Sequence, residues 1–351
     1  MLLRTLETLI VAAVGGVSFH LIGFPAGLVS GSVLAVAIAA LAGRPMLVPT
    51  PVARVTFVLV GISLGAVVTP ETLKGIATWP LSVAALAVAT ACMIVATTSY
   101  LRFVHGWDAL SALLGASPGG LAQVMALSAE YGADLRAIAI VQTIRVVLLT
   151  IGLPAALAMF GLAGTAARAA QPHVGSLTEL AILIAISSLT AAAMARFHLP
   201  GGLMFGAMIG SGVLHGAGFI DAVLPWWAAS AGVVGLGASA GARFVGTTPR
   251  MLVGYIGAAF GSFAVAAAIA ASFAIMVASV LSIRIADLVV AFSPGAQDTM
   301  MVLALALHLD PVFVGAHHVA RFLVVSLSVP LLVRRIAPPQ LRPGDDKKDE
   351  A

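Results

Sequence analysis

The chain has 351 residues, of which 60% are hydrophobic and 9% are charged, and its mean hydropathy is +1.09. A soluble domain carries about 25% charged residues, so this composition excludes a soluble globular protein and indicates an integral membrane protein. The net charge of +4 does not indicate a nucleic-acid surface, because the basic residues are scattered between apolar runs. The single cysteine, Cys92, excludes an intramolecular disulfide and a cysteine-rich metal site.

The N-terminal residues 1–19 have the charged start and apolar core of a signal peptide. They lack a convincing small-residue cleavage site, so we interpret them as the first retained helix. Several of the apolar runs that follow reach the roughly 20 residues that a helix needs to cross a ~30 Å hydrocarbon core. Six runs lie in each half of the chain, at about 7–23, 26–42, 53–68, 80–104, 109–131 and 136–161, and at about 176–195, 201–216, 224–244, 250–282, 286–308 and 312–335.

The second set of runs repeats features of the first. FPAGLVSG at 24–31 corresponds to LPGGLMFG at 199–206. We therefore predict two homologous membrane repeats, 1–165 and 166–336, followed by a polar cytoplasmic tail at 337–351. Glycines four residues apart let helices approach closely in lipid. One such pair in the first half, Gly61 and Gly65, corresponds to Gly237 and Gly241 in the second.

The most specific correspondence lies near the end of each half. Residues 117–154 begin SPGGLAQVM and residues 293–330 begin SPGAQDTMM, and the two stretches align without a gap at a distance of 176 positions. Only 8 of 38 residues are identical, but they include Pro, Gly, Asp and Arg, which apolar segments otherwise avoid. Ser-Pro-Gly should interrupt a helix, because Pro lacks an N–H group and Gly tolerates non-helical torsions.

Two membrane topologies are open to the sequence. If all twelve runs cross, 11 Lys and Arg residues lie inside and 5 outside, leaving aside the two arginines within apolar runs. If the SPG segments, 109–131 and 286–308, instead enter and leave on one side, the distribution becomes 13 to 3. The second topology fits better and gives each half five net crossings. We therefore predict an all-α polytopic fold of inverted repeats, each with one broken re-entrant segment; twelve full transmembrane helices are the alternative.

The two breaks predict a binding site. Unpaired backbone is costly in lipid and is tolerated only where protein buries it or where it lines a cavity, so matching breaks point to a midplane site. Asp298 follows the second break, and a carboxylate at membrane depth costs at least ~2.5 kcal/mol, which makes it a candidate proton or cation site or, alternatively, a helix N-cap. Gln123 is the nearest polar residue in the first half, opposite Thr299, so the pocket should be asymmetric. The predicted substrate- or ion-binding residues are Ser117, Pro118, Gly119, Gly120, Gln123, Arg145, Ser293, Pro294, Gly295, Asp298, Thr299, His318 and Arg321.

Two arginines lie inside apolar runs. Arg145 and Arg321 each follow an aspartate, Asp134 and Asp310, by eleven residues, or about 16 Å along a helix. This spacing places each Asp near a helix start, as an N-cap or first-turn charge, and each Arg near mid-bilayer. We expect the arginines to bind an anionic substrate or to pair with a carboxylate such as Asp298; snorkelling to the interface is the alternative.

The densest group of imidazoles is the adjacent pair His317 and His318. Neighbouring residues on a helix point about 100° apart, so the pair does not chelate one metal ion comfortably, and we predict no metal site. Two interpretations remain, a titrating histidine in a proton pathway and a histidine that packs and forms hydrogen bonds.

The sequence contains no GxxxxGK[ST] motif, which weighs against an ATP-driven pump. We predict no enzymatic activity and no cofactor, and instead a secondary transporter that moves a small solute by alternating access, coupled to protons or a cation. The positive charge of Arg145 and Arg321 favours an anionic or zwitterionic solute. The expected partners are the lipid bilayer and this solute or ion, with no nucleic acid, and a homodimer is left open. The alternative is a membrane sensor or regulator that acts indirectly on gene expression.

The paired SPGG and SPGA stretches, each followed by Asp and then Arg at fixed spacing, resemble the AbrB duplication family of bacterial membrane proteins over residues 1–336. Members carry labels such as ammonia monooxygenase or regulator of aidB expression. The resemblance implies a multi-pass protein of the bacterial inner membrane with two related halves, best fitted by a transporter, and we expect both termini in the cytoplasm. The family pattern is close to PGGLxEM in each half, whereas Gln123 and Thr299 occupy the acidic place here, with Asp298 one position earlier. A monooxygenase would need a metal centre and an electron path, which one cysteine and dispersed histidines do not supply.

Overall fold

A computed structural model describes residues 1–68, 79–118, 121–162, 175–197 and 201–336 of the chain. Throughout these ranges the regular secondary structure is helical, and they contain no β-strand. Six of the helices have the length and the apolar composition needed to cross a membrane. The predicted all-α polytopic membrane fold is therefore confirmed.

The described residues contain fourteen α-helices and one short 3₁₀-helix, Ala242–Phe244. The helices of the first half are α1 (Leu2–Leu21), α2 (Gly27–Leu41), α3 (Thr50–Gly65), α4 (Trp79–His105), α5 (Ala109–Ala116), α6 (Leu121–Glu130) and α7 (Leu135–Met159). Those of the second half are α8 (Leu177–Arg196), α9 (Gly202–Gly216), α10 (Trp226–Gly241), α11 (Pro249–Val280), α12 (Ile285–Phe292), α13 (Gln297–Ala306) and α14 (Pro311–Ile336).

Helix order and helix length correspond between the two halves. Apart from α4 and α11, each helix of the first half begins 175 or 176 positions before its counterpart. The paired helices α1 and α8 both have 20 residues, α2 and α9 both have 15, and α5 and α12 both have 8. The predicted duplication requires this constant offset. In each half, the Ser-Pro-Gly sequence lies between two short helices.

Besides the four helices of 8 or 10 residues that flank the Ser-Pro-Gly sequences, four more helices are shorter than a full membrane span. Helices α2, α3, α9 and α10 contain 15 or 16 residues, or roughly 22–24 Å at 1.5 Å per residue, which is less than the ~30 Å hydrocarbon core. Their starts are set by local chemistry. Ala26 and Gly201 precede α2 and α9 with left-handed φ angles of 53° and 63°, and Pro49 and Pro225 are the N-caps of α3 and α10. The apolar runs in these places therefore form helices that end before they reach full span length.

The helices form two bundles, and each bundle contains helices from both halves. Helices α1–α3 pack with α8–α10, and we call this group the glycine-rich bundle. Helices α4–α7 pack with α11–α14, and we call this group the break-containing bundle. The two bundles meet chiefly where α3 contacts α13 and α14, where α10 contacts α13 and where α2 contacts α7.

Glycines hold the glycine-rich bundle together at short distance. A Cβ atom on Gly61 of α3 would lie 2.6 Å from the Cβ of Ala207 on α9, and one on Gly65 would lie 2.5 Å from the Cβ of Ser211. The Ser211 hydroxyl donates a hydrogen bond of 2.8 Å to the carbonyl of Ile62 across the same crossing. Real Cβ atoms do not approach this closely, so α3 and α9 cross with their backbones nearly in contact. The close approach predicted from the glycine spacing is confirmed.

The substitution Gly65→Leu is expected to lower the midpoint of thermal unfolding of the purified protein in detergent. The new side chain would enter the backbone of α9, and overpacking of this kind costs about 1–3 kcal/mol or more. Gly254→Leu is the matched control, because a Cβ atom on Gly254 of α11 meets nothing within 4 Å. Equal midpoints for the two variants would contradict the close crossing.

The inverted topology can be tested with Ala42 and Ala217, the exposed C-cap residues of α2 and α9, which lie 175 positions apart. In a Cys92→Ser background, single cysteines at these two positions should react differently with a membrane-impermeant thiol reagent in intact cells. Inverted repeats place the two ends on opposite sides of the membrane, so only one position should be labelled. Labelling of both, or of neither before the cells are opened, would indicate parallel halves.

Candidate functional site

Both Ser-Pro-Gly sequences interrupt a helix. Helix α5 ends at Ala116, and Ser117 follows with extended backbone angles of φ −62° and ψ 117°. Helix α12 ends at Phe292, and Ser293 follows with φ −60° and ψ 140°. The predicted interruptions are therefore confirmed. Of the predicted site residues, Gly119 and Gly120 lie outside the described residues.

The guanidinium group of Arg321 lies against the second break. It donates hydrogen bonds to the backbone carbonyl of Ser293 and, at 2.9 Å, to that of Gly295. It also lies 2.6 Å from Nδ1 of His318. The side chain of Arg321 is only 2% exposed. A helix end leaves carbonyl groups without intrahelical donors, and a cation is favoured there by the helix dipole. Arg321 therefore caps the C-terminal end of α12.

The contacts of His318 fix the position of its proton. Its Nε2 atom lies 3.2 Å from the carbonyl oxygen of Val290, which can only accept a hydrogen bond. Its Nδ1 atom faces the guanidinium of Arg321, which can only donate. His318 is therefore a neutral imidazole with the proton on Nε2, and it links the last turn of α12 to Arg321.

The first half contains a similar but weaker arrangement. Arg145 donates to the carbonyl of Ser117 at 3.4 Å, and Gln142 donates to the carbonyl of Leu114 at 3.0 Å. These four positions correspond to Arg321, Ser293, His318 and Val290 at a distance of 176 residues. The Nε atom of Arg145 has no hydrogen-bond partner among the described residues.

These contacts revise the expected role of the arginines. Within the described ranges, ion pairs join Arg44 to Glu7 and Arg284 to Asp287, and neither Arg145 nor Arg321 contacts a carboxylate. The expected pairing with Asp298 is therefore wrong, because the carbonyl groups at the breaks take up the guanidinium donors instead. The aspartates that precede each arginine are N-caps, as expected: Asp134 accepts from Arg136 and Ala137, and Asp310 accepts from Val312 and Phe313.

Asp298 lies in the first turn of α13 and lines a cavity. The N-cap of α13 is Ala296, and no side chain caps this helix, so the N-cap interpretation of Asp298 is wrong. The cavity has a volume of about 330 Å³ and lies where α13 meets the glycine-rich bundle. It is lined by Asp298, Phe57 of α3, Ala195 of α8, and Gly201, Gly202, Leu203 and Met204 at the start of α9.

Two helix N-termini meet at this cavity. The first backbone hydrogen bond of α9 runs from Phe205 to the carbonyl of Gly201, so the three N–H groups before Phe205 have no acceptor within the helix. The first turn of α13 lies opposite, and its Gln297 has a buried Nε2 atom with no hydrogen-bond partner among the described residues. This atom would lie 2.5 Å from a Cβ on Gly201. The cavity is therefore rich in donors, and Asp298 is the carboxylate among its lining residues.

The other predicted site residues within the described ranges do not line this cavity. Gln123 exchanges hydrogen bonds with Ser326 of α14, donating to its carbonyl at 3.2 Å and accepting from its hydroxyl at 2.8 Å. Thr299 is buried in α13, next to Asp298 in sequence. The equivalent positions 123 and 299 thus have different surroundings, and the cavity is formed by the second half together with Phe57.

Sequence reasoning missed the residues that complete the cavity. The start of α9 could have been noticed as a candidate, since LPGGLMFG is the counterpart of FPAGLVSG, but we used that correspondence only to align the halves. Nothing in the sequence marks Phe57, because it is one apolar residue in an apolar run. His317 of α14 fits the second interpretation of the histidine pair, a side chain that packs and forms hydrogen bonds. It is fully buried, lies 2.8 Å from both the Phe313 carbonyl and the Ser82 hydroxyl, and so joins α14 to α4.

The fold and the site together define a polytopic helical membrane protein with a broken helix in each half. Residues 28–337 match the sequence profile of the family described as "Transition state regulatory protein AbrB", and the chain belongs to this AbrB family. It is 25% identical over 364 residues to "Uncharacterized protein YhjN" of Bacillus subtilis (strain 168), covering 95% of this chain and 93% of the relative. It is 26% identical over 340 residues to "Putative regulator AbrB" of Escherichia coli (strain K12), covering 93% of each. No solved structure matches the chain.

The substitution Arg321→Met is expected to destabilise the protein strongly. It would leave the carbonyl groups of Ser293 and Gly295 without their donor, and each unsatisfied buried group costs about 1–3 kcal/mol. The midpoint of thermal unfolding in detergent should fall well below that of the wild type, and Arg321→Lys should fall between the two. Arg250→Met, at an exposed position, should unfold like the wild type. An unchanged midpoint for Arg321→Met would show that the break does not depend on this cap.

Proposed function

We propose that the protein is a secondary transporter that carries a small anionic or zwitterionic solute through the Asp298 cavity. The observation that carries this proposal is the position of the cavity. It lies at a broken helix, between two bundles, and it contains a carboxylate. Broken helices at membrane depth are typical of transporter binding sites, because their free backbone groups can then bind the solute or the coupling ion.

The two bundles supply the means of alternating access. The main contacts between them are those of α3 with α13 and α14, of α10 with α13 and of α2 with α7, whereas the glycine crossings hold α3 and α9 at backbone distance within one bundle. Movement of one bundle against the other would change the walls of the cavity, since Phe57 and Gly201–Met204 belong to one bundle and Asp298 to the other. In this proposal the solute binds between the bundles, and Asp298 binds the coupling proton or cation.

A second function is favoured by the name of one relative. The Escherichia coli protein is named a regulator, and a sensor could bind the same solute in the same cavity and change conformation without carrying it across. The two functions differ in one measurable quantity, which is net solute flux through the protein.

Flux can be measured with purified protein in lipid vesicles and a pool of labelled amino acids and hydroxy acids, which cross pure lipid slowly. A transporter should accumulate at least one member of the pool when a proton or sodium gradient is applied. Asp298→Asn should lower this uptake at least tenfold, because the neutral amide cannot bind the coupling ion. Asp221→Asn removes an exposed carboxylate outside the cavity and should transport like the wild type. Absence of uptake by the wild type, together with altered gene expression in cells that lack it, would favour the regulator.

A further inference from the structure

We infer that the solute is a small monocarboxylate with a short apolar chain, and that it binds only when Asp298 has taken up a proton, so that one proton accompanies each carboxylate. This inference rests on the proposed function, since it names the substrate class and the coupling ion of the same cavity. It follows from three features of the cavity: the electric field inside it, the position of Asp298 within that field, and the residues that form its walls.

The field at the cavity is positive. Helix α9 and helix α13 both direct their N-terminal ends toward it, and each such end acts as roughly half a positive charge. The exposed Arg243, which follows α10, also acts on Asp298. The other residues that line the cavity, from α3, α8 and α9, are uncharged, and Arg196 follows Ala195 at an exposed position. A site of this kind attracts an anion.

When it is ionised, the carboxylate of Asp298 itself takes the place of this anion in the empty cavity. A second carboxylate, from a solute, would compete for the same N–H groups and would lie within a few ångströms of the first. Two negative charges a few ångströms apart repel each other strongly where little water screens them. Uptake of a proton from water by a carboxylate oxygen of Asp298 removes this repulsion, and the resulting O–H group can donate a short hydrogen bond to the solute.

A sodium ion fits this site poorly. Hard cations take several oxygen ligands, whereas the starts of α9 and α13 direct N–H groups, not carbonyl oxygens, toward the cavity. A proton needs no such set of ligands, because it binds to one carboxylate oxygen of Asp298 as an O–H group. The geometry therefore favours a proton as the coupling ion.

The walls define the rest of the solute. A volume of about 330 Å³ lies at the lower end of the roughly 300–1,000 Å³ found for small-molecule pockets. Phe57, Leu203 and Met204 provide apolar surface. Gln297 adds a buried amide nitrogen without a partner beside Gly201, and a small shift of this side chain would let it donate to the second oxygen of the carboxylate.

The test is titration calorimetry of the full-length protein in detergent with butyrate, repeated in buffers of different ionisation enthalpy. The comparison of buffers measures how many protons are taken up per butyrate bound. At a pH at which Asp298 is ionised in the free protein, the wild type should take up about one proton per butyrate, and its affinity should fall about tenfold per pH unit as pH rises, because the proton becomes harder to obtain. The neutral analogue butyramide should bind at least tenfold more weakly.

Two variants separate this inference from a merely structural role of the residues. Asp298→Asn should bind butyrate without proton uptake and with no dependence on pH, since the amide resembles the protonated acid. Gln297→Met should weaken butyrate binding several-fold but should not lower the midpoint of thermal unfolding, because it removes a buried donor that has no partner. Failure of butyrate to bind, binding without proton uptake, proton uptake retained in Asp298→Asn, or a requirement for sodium would each overturn the inference.

The outcomes also distinguish this inference from the proposed function. Butyrate binding with proton uptake, in a protein that moves no solute across vesicles, would overturn the transporter and leave the carboxylate site. Uptake of a solute by a protein that binds no carboxylate would overturn the site and leave the transporter.

Discussion

The cost of ending a helix inside an apolar protein is the constraint on which the rest of this structure depends. Each break leaves carbonyl groups without helical donors. In each half an arginine from the last helix donates hydrogen bonds to them. Arg321 reaches the carbonyls of Ser293 and Gly295, and Arg145 reaches that of Ser117. With the C-terminal side of the break satisfied in this way, the N-terminal side remains free to face a cavity. The same break can therefore be stable at one end and able to bind a ligand at the other.

Much of this architecture could be predicted from the sequence, and the reasons are local. Proline at 118 and 294 removes a backbone donor next to a glycine that tolerates non-helical torsions, so the breaks could be predicted from the Ser-Pro-Gly sequence itself. Asp134 and Asp310 are N-caps because a short acidic side chain before a helix can reach the free N–H groups of the first turn. Glycines four residues apart form one face of a helix, so the close crossing of α3 with α9 could be expected from Gly61 and Gly65.

The cavity could not be predicted in the same way, because it depends on contacts between distant parts of the chain. Phe57 and Asp298 are separated by 241 positions, and no local pattern brings them to one place. The predicted partner of each arginine was also wrong, for a similar reason. A sequence shows that a buried cation needs compensation, but it does not show whether carboxylates or backbone carbonyls lie within reach. The asymmetry between Gln123 and Thr299 was visible in the sequence, whereas the hydrogen bonds of Gln123 to Ser326 were not.

The hydrogen bonds of His318 have a consequence for the movement of protons through the molecule. A side chain relays a proton only if it has a free lone pair to receive one and a hydrogen to pass on. In His318 the lone pair of Nδ1 is directed at Arg321 and the hydrogen of Nε2 at Val290, so neither is available. His318 therefore does not relay protons between α14 and the last turn of α12.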